Sequence, residues 1–201
     1  MILISNPIVV KNEINLITSF FEEGLPLLHI RKPYFSSLEM IQFLQQMKLE
    51  FRDKMVLHNH HELAEDFGID RFHFSEKERN QSSSSPARFS KPSRYSTSTH
   101  SIEDFNSLEN FDYAFLSPVF KSISKENYSP EKDLFEEIKS RTNHETKMIA
   151  LGGIDSENIQ EVLEKGFDDF ALLGSIWKNK NPLKQFKLCQ QIALSYSQSQ
   201  V

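Results

Sequence analysis

The stretch Asp112 to Lys125, DYAFLSPVFKSISK, joins an apolar run to a polar loop. Its first half reads as a short buried strand, stopped by Pro118. Ser122, Ser124 and Lys125 follow. Two hydroxyls and an ammonium at the mouth of a buried strand suit an anion such as a phosphoryl group: hydroxyls donate hydrogen bonds and lysine adds a point charge. An ordinary surface loop uses the same residue types, so a second feature has to decide. Met148 to Ile154, MIALGGI, is an apolar run closed by Gly152 and Gly153. It is followed by Asp155-Ser156-Glu157-Asn158 and a helical pattern at Ile159, Val162 and Leu163. Phe170 to Leu173 is another apolar run, and it ends at Gly174. Glycines at strand ends let backbone N–H groups approach a ligand, and a following helix N-terminus favours an anion. Two such turns late in an alternating strand–helix chain match the phosphate site of a (β/α)8 barrel.

Other polar residues stand where strands give way to loops. In His29-Ile30-Arg31-Lys32-Pro33, alternation puts His29 and Arg31 on one face, inward, and Lys32 on the other. An inward arginine is costly unless it meets an anion. The run His58-Asn59-His60-His61 suggests zinc by composition, but neighbours on a strand point to opposite faces, so HxHH is not a ready tetrahedral site. A fourth strand carries His73 and runs on to Ser75 and Glu78. A fifth ends in Ser98-Thr99-His100, where a histidine suits proton transfer near neutral pH.

Taken together, DY…SPVFKSISK, ALGGI and GFDDFALLGSI resemble the thiamin-phosphate synthase/TenI family, whose pattern is DY-x-GPVF-x-T-x-TK, IGGI and GADG-x-A-x-x-SAI. The resemblance covers most of the chain and is most specific in its second half. It implies a single (β/α)8 barrel. It also implies a synthase that joins a hydroxymethylpyrimidine pyrophosphate to a thiazole phosphate and releases pyrophosphate with Mg²⁺. The alternatives are a TenI-like thiazole tautomerase and a barrel that binds thiazole phosphate without catalysis. Carried onto this chain, the family pattern assigns Arg31, Lys125, Ser98 and His100 to catalysis, the last as acid/base in the tautomerase branch. His29, Asn59, Ser122 and Ser124 fall on its substrate-binding positions, and backbone groups at Gly152, Gly153, Leu173 and Gly174 would receive the thiazole phosphate. The chain departs from the pattern in places. His29 replaces a glutamine and Pro33 a lysine of the pyrophosphate site. His60 replaces one magnesium aspartate, while Glu78 keeps a carboxylate in place of the other. Magnesium prefers hard oxygen donors, so the first of these exchanges removes a ligand.

The elements that must carry these residues alternate. Strands are expected at Met1–Ser5, Pro26–Arg31, Met55–Asn59, Arg71–Ser75, Arg94–Ser98, Asp112–Ser117, Lys147–Leu151 and Asp168–Leu173. Helices fall between them, the second capped by Ser36 or Ser37 and the last spanning Pro182–Tyr196. From Glu76 to Ser93 the pattern fails, and the serine run Gln81 to Pro86 reads as a flexible loop. The 201 residues suit one domain, near the lower size limit of such a barrel. Hydrophobic content is only 38%, but 17 phenylalanines fill a core with few residues. A net charge of −5 without a basic run argues against nucleic acid. Cys189 is the single cysteine, which excludes an internal disulfide and a cysteine zinc site. Neither a signal peptide nor a run of membrane length is present, so a cytoplasmic protein is expected. Small phosphorylated substrates are the expected partners, with a homodimer left open.

Overall fold

A computed structural model describes residues 1–81, 93–121 and 133–199. Eight parallel strands close on themselves in chain order. They are β1 (Ile2–Ile4), β2 (Leu28–Ile30), β3 (Met55–Leu57), β4 (Arg71–Phe74), β5 (Arg94–Thr99), β6 (Tyr113–Leu116), β7 (Lys147–Ala150) and β8 (Asp169–Leu172). Nine helices of the described residues surround them: α1 (Glu13–Glu22), α2 (Ser37–Gln45), α3 (Ala64–Phe67), α4 (Glu76–Arg79), α5 (Ile102–Asn106), α6 (Leu134–Glu137), α7 (Ile159–Glu164), α8 (Gly174–Trp177) and α9 (Pro182–Ser199). This is the expected single (β/α)8 barrel, with strands shorter than expected except β5, which runs one residue further, to Thr99. The serine run from Ser82 onward, the expected site residues Ser122, Ser124 and Lys125, and the start of the helix expected from Pro130 lie outside the described residues.

Period-two alternation sorts each strand between two compartments. Leu3, Leu28, Ile30, Leu57, Phe72, Phe74, Ala114, Leu116, Phe170 and Leu172 face the helices and join one large core with Ile17, Phe20, Phe105 and Phe186. Inside the barrel, Ile2, Ile4, Phe115, Ile149 and Ala171 form a smaller apolar cluster. Those five come from β1 and β6 to β8. The inward positions of β2, β4 and β5 hold His29, His73, Ser96 and Ser98 instead, linked by hydrogen bonds among themselves and to their neighbours, with Val56 of β3 between them. The interior is thus half hydrocarbon and half polar network.

Two capping boxes set helix starts. Ser36 caps α2 with Glu39 in reciprocal bonds, and Ser75 caps α4 with Glu78. The second box falls inside the stretch where sequence periodicity gave out. A single helical turn is too short to show a period, but Ser75-x-x-Glu78 is itself a start signal.

Lys32 points away from the barrel axis, as alternation requires. Its ammonium is fully buried and lies 2.7 Å from both carboxylate oxygens of Glu13 in α1. The Asn6 and Ile8 carbonyls accept from it at 2.7 and 3.2 Å. Burial lowers the lysine pKa and raises that of Glu13, and the mutual attraction opposes both shifts. The pair ties the β1–α1 loop to the end of β2, beside the barrel mouth. Lys32→Met strands a buried carboxylate and should cost about 3–5 kcal/mol in urea unfolding, whereas Glu13→Leu/Lys32→Met should recover most of that loss. A single variant as stable as the parent would show that the pair contributes nothing to the fold.

Candidate active site

A cavity of about 1310 Å³ opens at the C-terminal ends of the strands. Its walls include Arg31 after β2, His58 and Asn59 after β3, His73 in β4, Ser75 and Glu78 beyond it, Ser98 in β5 and His100 after it. Gly152 and Gly153 after β7, and Leu173 and Gly174 after β8, complete the rim. Residues 143 positions apart in the chain, Arg31 and Gly174, therefore face one space.

The glycine side is shaped by backbone. Gly152 and Gly153 have φ of +104° and +69°, values that side chains rarely adopt. A Cβ at Gly153 would sit 2.5 Å from the Lys121 carbonyl oxygen, and one at Gly152 would sit 2.9 Å from Pro118 Cα. Pairing of β6 with β7 continues past the strand ends, since Val119 and Phe120 donate to the carbonyls of Leu151 and Gly152, each at 3.0 Å. The segment after Pro118 is thereby pressed onto the paired glycines.

On the opposite wall, the Arg31 guanidinium has no ion-pair partner among the described residues, and it is held at the cavity by backbone bonds of Arg31 to Ser5. Asn59 donates its amide to the Lys32 carbonyl at 3.1 Å, while its Oδ1 is buried without a partner. His100 donates Nδ1–H to the Ser117 carbonyl at 2.7 Å, which leaves Nε2 as the chemically open nitrogen, 3.7 Å from Glu76. Glu78 spends one carboxylate oxygen on its cap, accepting from Ser75 N at 2.8 Å and Ser75 Oγ at 2.6 Å. His60 is turned toward α2: its Nε2 bonds the Phe35 carbonyl at 2.7 Å and its Nδ1 lies 3.2 Å from both Ser37 Oγ and Glu62. His61 packs on Phe72 and Phe74. As alternation demands, the HxHH run scatters its rings, and only His58 of the three histidines turns inward.

What His58 meets there was not legible in the run itself. His29 Nδ1 is 2.9 Å from His58 Nε2, and His29 Nε2 is 2.6 Å from the Tyr113 hydroxyl. The His58 and His73 rings stack with centroids 4.1 Å apart. Ser96 Oγ donates to the Phe72 carbonyl and therefore accepts Nδ1–H of His73 at 2.9 Å, so His73 Nε2 accepts from Ser98 Oγ at 3.0 Å. Burial holds all three imidazoles neutral, lowering His29 and His58 well below the usual histidine range and His73 to about 3. Neighbouring histidines and the Arg31 charge add to the effect on His58 and His73. Burial also raises the pKa of Tyr113. His58 and Tyr113 were missed as site residues because each looks ordinary within its own strand. The register, which pairs His73 with Ser96 and Ser96 with Tyr113, brings them together.

Comparison with known proteins adds ancestry to this geometry. The chain aligns with a thiamine-phosphate synthase of Listeria innocua at 27% identity over 157 residues, 74% of this chain and 72% of that protein. With the Streptococcus suis thiamine-phosphate synthase it is 32% identical, but over 38% of this chain and only 34% of that relative's length. Among solved structures, a thiamine phosphate pyrophosphorylase from Bacteroides thetaiotaomicron superposes with a TM-score of 0.76 at 28% identity, covering 96% of both chains. One from Pyrococcus furiosus gives 0.76 at 16% identity, over 97% of this chain and 95% of that one, a likeness of fold. No helix among the described residues is long and apolar enough to cross a membrane. A model of the thiamine monophosphate synthase family matches residues 1–176, and on that match the chain belongs to this family.

Proposed function

We propose that the protein is a thiamin-phosphate synthase of thiamin biosynthesis, joining hydroxymethylpyrimidine pyrophosphate to thiazole phosphate with release of pyrophosphate. The observation that carries this reading is the shared cavity. A guanidinium without an ion-pair partner among the described residues shares one cavity with the glycine rim after β7 and β8. In the reaction the C–O bond between the pyrimidine methylene and the pyrophosphate breaks, the electron pair leaving with the pyrophosphate. The thiazole nitrogen then gives its lone pair to the methylene cation. The protein's work is to stabilise the charge that gathers on the leaving group. Arg31 and Ser98 on the cavity wall are assigned to this, with Lys125 from the segment beyond Lys121. Asn59 joins them at the pyrophosphate, His29 belongs to the pyrimidine side, and Ser122 and Ser124 to the phosphate loop. Gly152, Gly153, Leu173 and Gly174 receive the thiazole phosphate through backbone N–H groups.

Magnesium, which this chemistry implies, finds a thin donor set. Among the described residues, Glu78 is engaged in its cap, Glu76 lies against His100, His60 faces α2, and the buried Asn59 Oδ1 has no partner. One amide oxygen and half a carboxylate do not make the hard-oxygen site that Mg²⁺ requires, and no step here passes through it.

A second reading rests on His100. With Nδ1 fixed and Nε2 open beside Glu76 at the cavity wall, the ring is poised to carry a proton between two positions of a bound substrate. That is the requirement of a thiazole tautomerase.

Pyrophosphate release from the two synthase substrates is the decisive assay. Arg31→Gln should lower kcat by about 10²–10³-fold, the usual cost of removing a group aimed at developing charge. Release that is absent from the parent protein, or unchanged in Arg31→Gln, would remove the synthase reading. Gly153→Ala should raise KM for thiazole phosphate and lower stability by more than ~1 kcal/mol, because the added methyl meets a carbonyl and the φ is unfavourable. If the tautomerase reading holds instead, His100→Ala should abolish isomerisation of a thiazole carboxylate phosphate while leaving its binding, measured by calorimetry, within a few-fold.

A further inference from the structure

The polar half of the barrel interior contains a group of which the synthase reading uses only His29. His29, His58 and His73 come from three adjacent strand ends, and one ring nitrogen of each lies within 4.8 Å of the others. His29 and His73 are fully or almost fully buried, while His58 is half-buried and forms part of the cavity wall with His73. We propose that these three histidines form a binding site for a borderline transition-metal cation of the Zn²⁺ or Co²⁺ type, with an open coordination position facing the cavity.

The donor chemistry selects the class of ion. Three imidazoles with no carboxylate among them suit zinc, cobalt or nickel and repel magnesium and calcium. Three protein nitrogens leave a fourth tetrahedral position, and the cavity lies on that side. Outer-shell partners are present for the two buried rings. Ser96 accepts Nδ1–H of His73, which leaves Nε2 as that ring's donor. The Tyr113 oxygen sits 2.6 Å from His29 Nε2, and a proton held there leaves the lone pair on His29 Nδ1, the nitrogen that faces His58. Such partners fix the tautomer and ring orientation of a metal-bound histidine.

The distances require modest change. Metal–nitrogen bonds of about 2.0–2.1 Å at a tetrahedral centre put two ligand nitrogens ~3.4 Å apart. The 2.9 Å contact between His29 and His58 therefore opens by about half an ångström. His58 must leave its stacking contact on His73, and it is the ring best placed to do so, being the least enclosed of the three. Ser98 must surrender one hydrogen bond to His73. The cluster draws on none of the acidic positions discussed for magnesium; it shares His29 with the synthase reading and borders Ser98, so its test reads metal binding rather than activity.

The test uses the full chain, stripped with chelator and titrated with Co²⁺ while visible absorption is recorded. One equivalent of Co²⁺ should bind with the intense visible bands of a four-coordinate nitrogen site. Zn²⁺ should displace it and excess Mg²⁺ should not. His58→Gln and His73→Gln should each weaken binding by at least about a hundredfold, beyond the 10–100-fold typical of losing an outer-shell partner. His60→Ala and His144→Ala, which alter a half-buried and an exposed histidine outside the cluster, should leave it unchanged. Circular dichroism establishes that the variants are folded. Should either cluster variant fail to fold, imidazole ¹⁵N shifts in the parent protein on adding Zn²⁺ replace it, and three ring nitrogens should move together. Absence of stoichiometric Co²⁺ binding, the weak spectrum of a six-coordinate ion, binding that survives His58→Gln, or ¹⁵N shifts confined to other histidines would each overturn the proposal. Pyrophosphate release plays no part in these readouts.

Discussion

Polar groups inside a closed barrel must satisfy one another, and that constraint organises this protein. Eight strands of three to six residues leave an interior too narrow for bulk water. On the β2–β5 side the inward positions carry imidazoles and hydroxyls, and each uncompensated one would cost on the order of 1–3 kcal/mol. They avoid that cost by bonding laterally, ring to ring and ring to hydroxyl, across strands joined by backbone ladders. The opposite wall contributes Ile2, Ile4, Ile149 and Ala171, which seal the network on its apolar side. Most of the polar interior is therefore committed, and the groups that remain available lie higher, at the rim.

The rim has the reverse character. The Arg31 guanidinium has no ion-pair partner and the buried Asn59 Oδ1 no hydrogen-bond partner among the described residues, and the glycine turns present bare backbone to the cavity. Unspent polar capacity at a cavity is what an anionic ligand requires. Lys32, one residue from Arg31, shows the contrast. It carries the same charge, faces the other side of the strand and is consumed entirely by Glu13 and two carbonyls. Strand alternation alone decides which cation serves structure and which serves the cavity.

Much of this was legible in the sequence. The alternation of strand and helix, the inward Arg31 and outward Lys32, and the glycine turns after β7 and β8 all follow from local patterns. Two things were not. The α4 turn was passed over because four residues cannot display a helical period, although its Ser75–Glu78 box was in view. The meeting of His29, His58, His73 and Tyr113 depends on the register between strands, and each of those four residues is unremarkable beside its own chain neighbours. HxHH drew notice as a run, yet its members disperse. The real histidine group is assembled from single residues, successive members 29 and 15 positions apart, spacings on which local reading has no purchase.

The seam between β1 and β8 has a bearing on how the chain comes into being. β1 pairs with β2 on one edge but needs β8 on the other, and the Trp177 indole then donates to the Ile4 carbonyl at 2.7 Å. Some 170 residues must therefore leave the ribosome before the first strand acquires its second neighbour. Until then Ile2 and Ile4 line an open sheet edge. Nascent chains in that state are exposed to edge-to-edge association and to chaperone capture. Synthesis of this protein thus passes through a long vulnerable interval that ends in a single closing event.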